Sequence, residues 1–219
     1  MADRHKEAKP DESMHSEKKQ GSRFTRRGFL KGAGAGAVTA AVAPTILVSG
    51  EATAEQESVG VMSATLTFEV NGQSYSVEAE ARTTLADALR DKLEITGPKV
   101  VCDRGECGAC TVMMDGKLIY SCMTLAMDAH GRTIETVEGM ANGDSLHPIQ
   151  QAFIEKDALM CGFCTPGFLM SSKALLESNN TPTPEEVREG LSGNICRCGT
   201  YPHVFEAVIS AAETMRDGG

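Results

Sequence analysis

The sequence predicts an α+β chain in which a small β-grasp domain precedes a four-helix bundle. Three observations carry that prediction. Apolar and polar residues alternate in short runs over residues 65–137, then apolar residues recur at helical spacing from residue 148 onward. Asn71-Gly72 and Asp115-Gly116 each separate two such runs, as hairpin turns do. Eight cysteines fall into two quartets, one in each half.

In the first half, residues 60–140, Thr65–Val70 and Tyr75–Glu78 alternate around Asn71-Gly72. Thr84 reads as an N-cap with Asp87 at N3, opening a short helix to about Lys92. Cys102-Asp-Arg-Gly-Glu-Cys107-Gly-Ala-Cys110 follows as a loop. Its small residues let backbone N–H groups turn inward toward an anionic cluster. Strands are expected at Thr111–Met114, Lys117–Tyr120 and Thr133–Val137.

The second half, residues 145–217, has helical signals only. Pro148–Lys156 repeats through Ile149, Phe153 and Ile154, and Phe168–Glu177 through Leu169, Leu175 and Leu176. Thr183-Pro184-Glu185-Glu186 places Thr at the N-cap, Pro at N1 and Glu at N3. A last helix is expected from about His203 to Met215, with Val204, Ala207, Val208 and Ala211 inward. Cys161 and Cys164 lie between the first two helices and Cys196 and Cys198 between the last two, so two loops can meet at one end of the bundle.

The quartets are Cys102, Cys107, Cys110 and Cys122, spaced C-x4-C-x2-C-x11-C, and Cys161, Cys164, Cys196 and Cys198, spaced C-x2-C-x31-C-x-C. Thiolates are soft ligands for iron–sulfur clusters or zinc. C-x4-C-x2-C with a later fourth cysteine is plant-type [2Fe–2S] spacing. Zinc and a disulfide framework are the rival readings; an eleven-residue gap before the last ligand is unusual for zinc. Cys161-Gly-Phe-Cys164 taken alone matches a dithiol redox pair but leaves six cysteines unexplained. His130, His147 and His203 are isolated, and none stands in a Cys-x-His pair, so they read as surface or capping residues. Phe163 reads as core packing. No nucleophile–base pair or phosphate loop stands out, so the chain has no catalytic centre of its own.

The formal charge of −9 argues against nucleic acid, whose phosphates reward Lys and Arg. Residues 1–54 differ from the rest, with nine basic and six acidic groups. They read as a disordered leader and an export signal: Thr25-Arg26-Arg27-Gly28-Phe29-Leu30-Lys31, a Gly- and Ala-rich run to Gly50, and a cleavage site after Ala52-Thr53-Ala54. The paired arginines resemble the twin-arginine signal. That route exports folded, cofactor-loaded proteins to the periplasm, which reconciles eight cysteines with an oxidising compartment. An uncut peptide would act as a membrane anchor.

Val101-Cys-Asp-Arg-Gly-Glu-Cys-Gly-Ala-Cys-Thr-Val112, Cys122, Cys161-Gly-Phe-Cys-Thr-Pro-Gly167 and Gly193-Asn-Ile-Cys-Arg-Cys-Gly199 resemble the small iron–sulfur subunit of the xanthine oxidase family, the molybdenum hydroxylases. The resemblance covers about residues 63–216 and, in Cys198-Gly-Thr-Tyr-Pro-His203, leans toward isoquinoline and periplasmic aldehyde oxidoreductases. It implies a plant-type ferredoxin-like first domain and two [2Fe–2S] clusters. It also implies a large partner subunit carrying a molybdopterin-type cofactor, and an FAD subunit or cytochrome as acceptor. Electrons from aldehyde or N-heterocycle oxidation would pass from a proximal cluster on Cys161, Cys164, Cys196 and Cys198 to a distal one on Cys102, Cys107, Cys110 and Cys122. Met160 and Cys164 would lie near the partner's pterin. The family usually has Gln where this chain has Met160, and a thioether cannot donate the amide's hydrogen bond. Met160 is then either an apolar contact for the pterin or cluster, or a filler of a gap. The alternative to a dedicated subunit is a stand-alone periplasmic ferredoxin-like carrier.

Overall fold

The computed structural model describes residues 62–218; the expected leader and twin-arginine signal lie outside them. Strands β1 (Ser63–Val70) and β2 (Gln73–Glu80) form an antiparallel hairpin in which Val70 faces Gln73. Between them Asn71 and Gly72 have φ of 50° and 77°, the left-handed pair that a type I′ turn requires to match strand twist. β3 (Thr111–Met114) and β4 (Lys117–Tyr120) repeat the device through Asp115 and Gly116. β5 (Thr133–Glu135) completes a five-stranded sheet of order β2-β1-β5-β3-β4. It runs parallel to β1 and antiparallel to β3, so the sheet is mixed.

Alternation along the strands sends Leu66, Phe68, Val70, Val77 and Ala79 to one face, which is buried. Helix α1 (Leu85–Asp87) covers that face with Leu85, and Ala88 and Leu89 follow it into the same core. It opens with the expected reciprocal capping box between Thr84 and Asp87. Beyond Asp87 the chain is wound as a π-helical segment, Ala88–Lys92, with the Leu93 N–H bonded to the Ala88 carbonyl at 3.2 Å.

Four helices follow: α2 (Pro148–Glu155), α3 (Thr165–Ser178), α4 (Pro184–Gly190) and α5 (Tyr201–Asp217). Ile149, Phe153, Phe168, Met170, Val187, Leu191, Val204 and Val208 make their common core, and Met113 of β3 joins it. Lys173 of α3 ties the two halves again, bridging Glu135 of β5 at 3.1 Å and Glu177 at 2.5 Å. The expectation of a four-helix bundle is therefore not confirmed. Five helices are present among the described residues, and α3 packs partly on the sheet. α2 and α4, of eight and seven residues, are too short to run alongside the seventeen residues of α5. Among the described residues no helix is long and apolar enough to cross a membrane.

Candidate metal centres

The first cysteine group stands at the edge of the sheet, in the loop that leads into β3. Asp103, Gly105 and Gly108 take left-handed φ of 53°, 75° and 68°, which curls the loop around its own sulfurs. Backbone N–H groups of Arg104, Glu106 and Cys107 point at Cys102 Sγ, the Glu106 N–H from 3.4 Å. Such concave runs of N–H groups favour anions. Burial raises the Cys102 thiol, but these donors outweigh it and bring it down to about 7. Its side chain meets that of Cys107. Cys122, in the 3-10 turn Ser121–Met123 after β4, meets Cys110 instead. Burial, together with the thiol and charge of Cys122, pushes Cys110 up to about 12.

The second group repeats the plan with helices. Cys164 is the N-cap of α3, which begins at Thr165 and so three residues earlier than its apolar spacing predicts. Cys164 meets Cys196, and Cys161 meets Cys198. Burial and then Cys196 push Cys164 up to about 12. Cys196 is lowered to about 7, against the effect of burial, by the hydroxyl and N–H of Thr200 and the N–H of Gly199. The Thr200 hydroxyl lies 3.1 Å from its sulfur. The Cys196 N–H donates to the Tyr201 hydroxyl at 2.8 Å, which fixes the loop at the start of α5.

All eight thiols are free, and they stand in four pairs. Each group has a deeper pair, Cys110/Cys122 or Cys164/Cys196, and an outer one, Cys102/Cys107 or Cys161/Cys198. Among the described residues no three His, Cys, Asp or Glu side chains converge as one metal ion would require. A four-cysteine zinc site gathers four sulfurs about one point. A [2Fe–2S] centre spreads its four cysteines over two irons. The thiol pairs fit the second arrangement, and the N–H groups aimed at Cys102 and Cys196 suit its negative charge.

The histidines are engaged elsewhere. His130 Nδ1 accepts from the Thr67 N–H at 3.0 Å, and His147 caps α2 by accepting from the Ile149 N–H at 3.3 Å. His203 Nδ1 lies 2.9 Å from the Lys156 carbonyl oxygen. Phe163, expected in the core, is 55% exposed, because the Cys161–Cys164 turn stands clear of the helices' shared interior. Met160 is 67% exposed and so fills no gap in this chain. Leu159 and Ile195 are also exposed, so apolar side chains flank the exposed Cys161 and Cys198.

Two residues that tie the cysteine groups together were given no role by the sequence. Asn194 donates from Nδ2 to the Gly108 carbonyl at 3.0 Å, and Tyr120 donates from its hydroxyl to the Gly193 carbonyl at 3.1 Å. The Ile195 N–H donates to the Cys107 carbonyl at 2.9 Å. These bonds join the two cysteine groups along one seam. Asn194 and Ile195 lie in the Gly193–Gly199 motif, and Tyr120 had only its place two residues before Cys122 as a signal.

A ferredoxin-like sheet and a helical half, each presenting paired free thiols on N–H-rich loops, define an iron–sulfur electron-transfer protein. Residues 68–138 match the 2Fe-2S iron-sulfur cluster binding domain, and residues 136–209 match the [2Fe-2S] binding domain. The nicotine 6-hydroxylase small subunit of Paenarthrobacter nicotinovorans is 54% identical over 143 residues, 65% of this chain and 86% of its own length. The aldehyde oxidoreductase iron-sulfur-binding subunit PaoA of Escherichia coli (strain K12) is 39% identical over 208 residues, 88% of this chain and 90% of its own. The crystal structure of quinoline 2-oxidoreductase from Pseudomonas putida 86 superposes with a TM-score of 0.68 at 42% identity, covering 71% of this chain and 98% of that one. The chain belongs to the family of small iron–sulfur subunits of molybdenum hydroxylases.

Proposed function

We propose that this chain relays electrons from a molybdopterin-type centre in a large partner subunit, through two [2Fe–2S] clusters, to an external acceptor. Cys161, Cys164, Cys196 and Cys198 would hold the proximal cluster and Cys102, Cys107, Cys110 and Cys122 the distal one. The helical half (145–217) and the sheet half (60–140) then act as separate cluster-binding domains. When bound, the clusters supply one-electron chemistry. The chain's own residues hold them, and the N–H groups at Cys102 and Cys196 offset their negative charge, which tunes potential.

The observation that carries this reading is the exposed thiol pair Cys161/Cys198 with Leu159, Met160, Phe163 and Ile195 beside it. A stand-alone carrier would leave a sensitive metal site and four apolar side chains in water; a docked partner buries both. The same face brings Met160 and Cys164 toward the partner's pterin. Met160 would act there as an apolar contact, and a Met160→Gln variant with better cofactor retention would show that the missing amide bond matters.

The substrate is chosen in the large subunit. Relatives named for nicotine, nicotinate and aldehyde point to N-heterocycles and aldehydes as its class. The leader with Arg26-Arg27 supports folded export to the periplasm, where an FAD subunit or a cytochrome would accept the electrons. Replacing both arginines by Lys should strand the loaded protein in the cytoplasm, as cell fractionation would show.

Affinity purification from the periplasm tests the main reading. A stoichiometric large subunit with molybdenum is expected; a monomer carrying only iron and sulfide would overturn it. Anaerobic reduction should give two distinguishable EPR signals and about four irons per chain. Two irons, or zinc, would refute the two-cluster reading.

A further inference from the structure

We infer that Asn194, with Tyr120 as a second tie, is a positioning residue for electron transfer between the two cysteine groups. The inference rests on the two-cluster reading above. Cys107 and Cys196 are joined by a short path: the Cys107 carbonyl, its hydrogen bond from the Ile195 N–H at 2.9 Å, and the peptide bond to Cys196. That link closes only if the Gly193–Ile195 segment lies flat against the Cys107–Gly108 backbone.

Three features press it there. Gly108 has φ of 68°, and a Cβ on it would collide with the Gly193 carbonyl and the Asn194 amide. A Cβ on Gly167 would strike the Gly108 carbonyl, and one on Gly193 the Tyr120 hydroxyl. The seam is thus close-packed glycine backbone met by the Asn194 amide and the Tyr120 hydroxyl. Asn194 is 4% exposed and reaches across it to Gly108.

The Gly108 carbonyl does not need Asn194 to be satisfied. Thr111 already donates to it from its N–H at 3.2 Å and its hydroxyl at 2.6 Å. The third donor therefore serves the segment that supplies it, pinning the Ile195 N–H onto Cys107. With both centres bound, this path would carry one electron from the centre on the second group, oxidising it, to the centre on the first, reducing it. No bond is made or broken and no proton moves. The partner's molybdenum centre would be the reductant.

The test uses the complex purified with its large subunit. Asn194→Asp keeps the side chain's size and removes the donor. It should speed hydrogen exchange at the Ile195 amide, weaken the magnetic coupling between the reduced centres, and slow electron redistribution after reduction by a flash-generated flavin radical. Iron content and the g-values of each centre should stay at wild type. Lys173→Met removes a strap between sheet and helix that touches no cysteine; it should lower thermal stability and leave coupling and redistribution unchanged. If Asn194→Asp does not assemble, Tyr120→Phe carries the same test, since it deletes only a hydroxyl. Wild-type redistribution in the variant that assembles, or equal slowing by Lys173→Met, would overturn the inference. A wild-type complex with one centre would fail earlier, at the iron count, and take the two-cluster reading with it.

Discussion

Ser172 is wholly buried in α3, and its hydroxyl has no hydrogen-bond partner. A buried hydroxyl left unpaired costs about 1–3 kcal/mol, and alanine is the better helix former. Ser172→Ala should therefore raise stability by about 1 kcal/mol, measured by chemical denaturation of the loaded chain. The thiols allow a sharper forecast. Cys110 pairs with Cys122 and takes no part in the second group. Cys110→Ser should abolish one EPR signal and retain the other. Loss of both would mean that the groups assemble only together. At this scale the sequence marked the candidate ligands and was silent about their partners. Spacing assigned all eight cysteines to two quartets, but pairing within a quartet, and the contrast between deeper and outer pairs, depends on how distant loops meet. Phe163 was misread for the same reason, since an apolar side chain beside a cysteine carries no mark of which way its loop faces.

Helix caps were legible because their chemistry is local. Thr84/Asp87 and Thr183/Glu186 both form reciprocal boxes, the latter with the Thr183 N–H donating to Glu186 at 2.7 Å. Thr183→Ala should cost about 1 kcal/mol, read as a lower denaturation midpoint. α2 is capped differently. His147 accepts from the Ile149 N–H, and burial, helped by the Lys173 charge, lowers its pKa against the pull of Glu177 and Glu135. The folded state thus prefers the neutral ring. Its contribution is complete above the unfolded value near 6.5 and is lost as pH falls through the lower folded value. Stability measured from pH 7 downward should decline in that window, and His147→Asn, which caps without titrating, should flatten the decline. The hairpins were equally plain from Asn71-Gly72 and Asp115-Gly116. The parallel pairing of Glu69 with Thr133 was not, because no local signal connects residues so far apart. Nor did any residue type announce the π-helical winding after α1.

The described residues, 62–218, fall within one compact unit. Met113 of the sheet belongs to the helical core, Lys173 reaches back to β5, and the glycine seam joins the cysteine loops. Removing iron with a chelator should lower the melting temperature, because each cysteine group would lose the centre that holds its thiols together. It should still leave one calorimetric transition; two separated transitions would contradict the shared core.

The seam also bears on how such subunits diversify. Its close contacts combine glycine backbone with only two side chains, Asn194 and Tyr120, so they record little of the other neighbours. A hybrid joining the sheet half of one relative to the helical half of another, near residue 140, should dock correctly wherever the counterparts of Gly108, Gly167, Gly193, Asn194 and Tyr120 are kept. Exchange of halves between lineages is then limited by this handful of seam residues more than by overall resemblance.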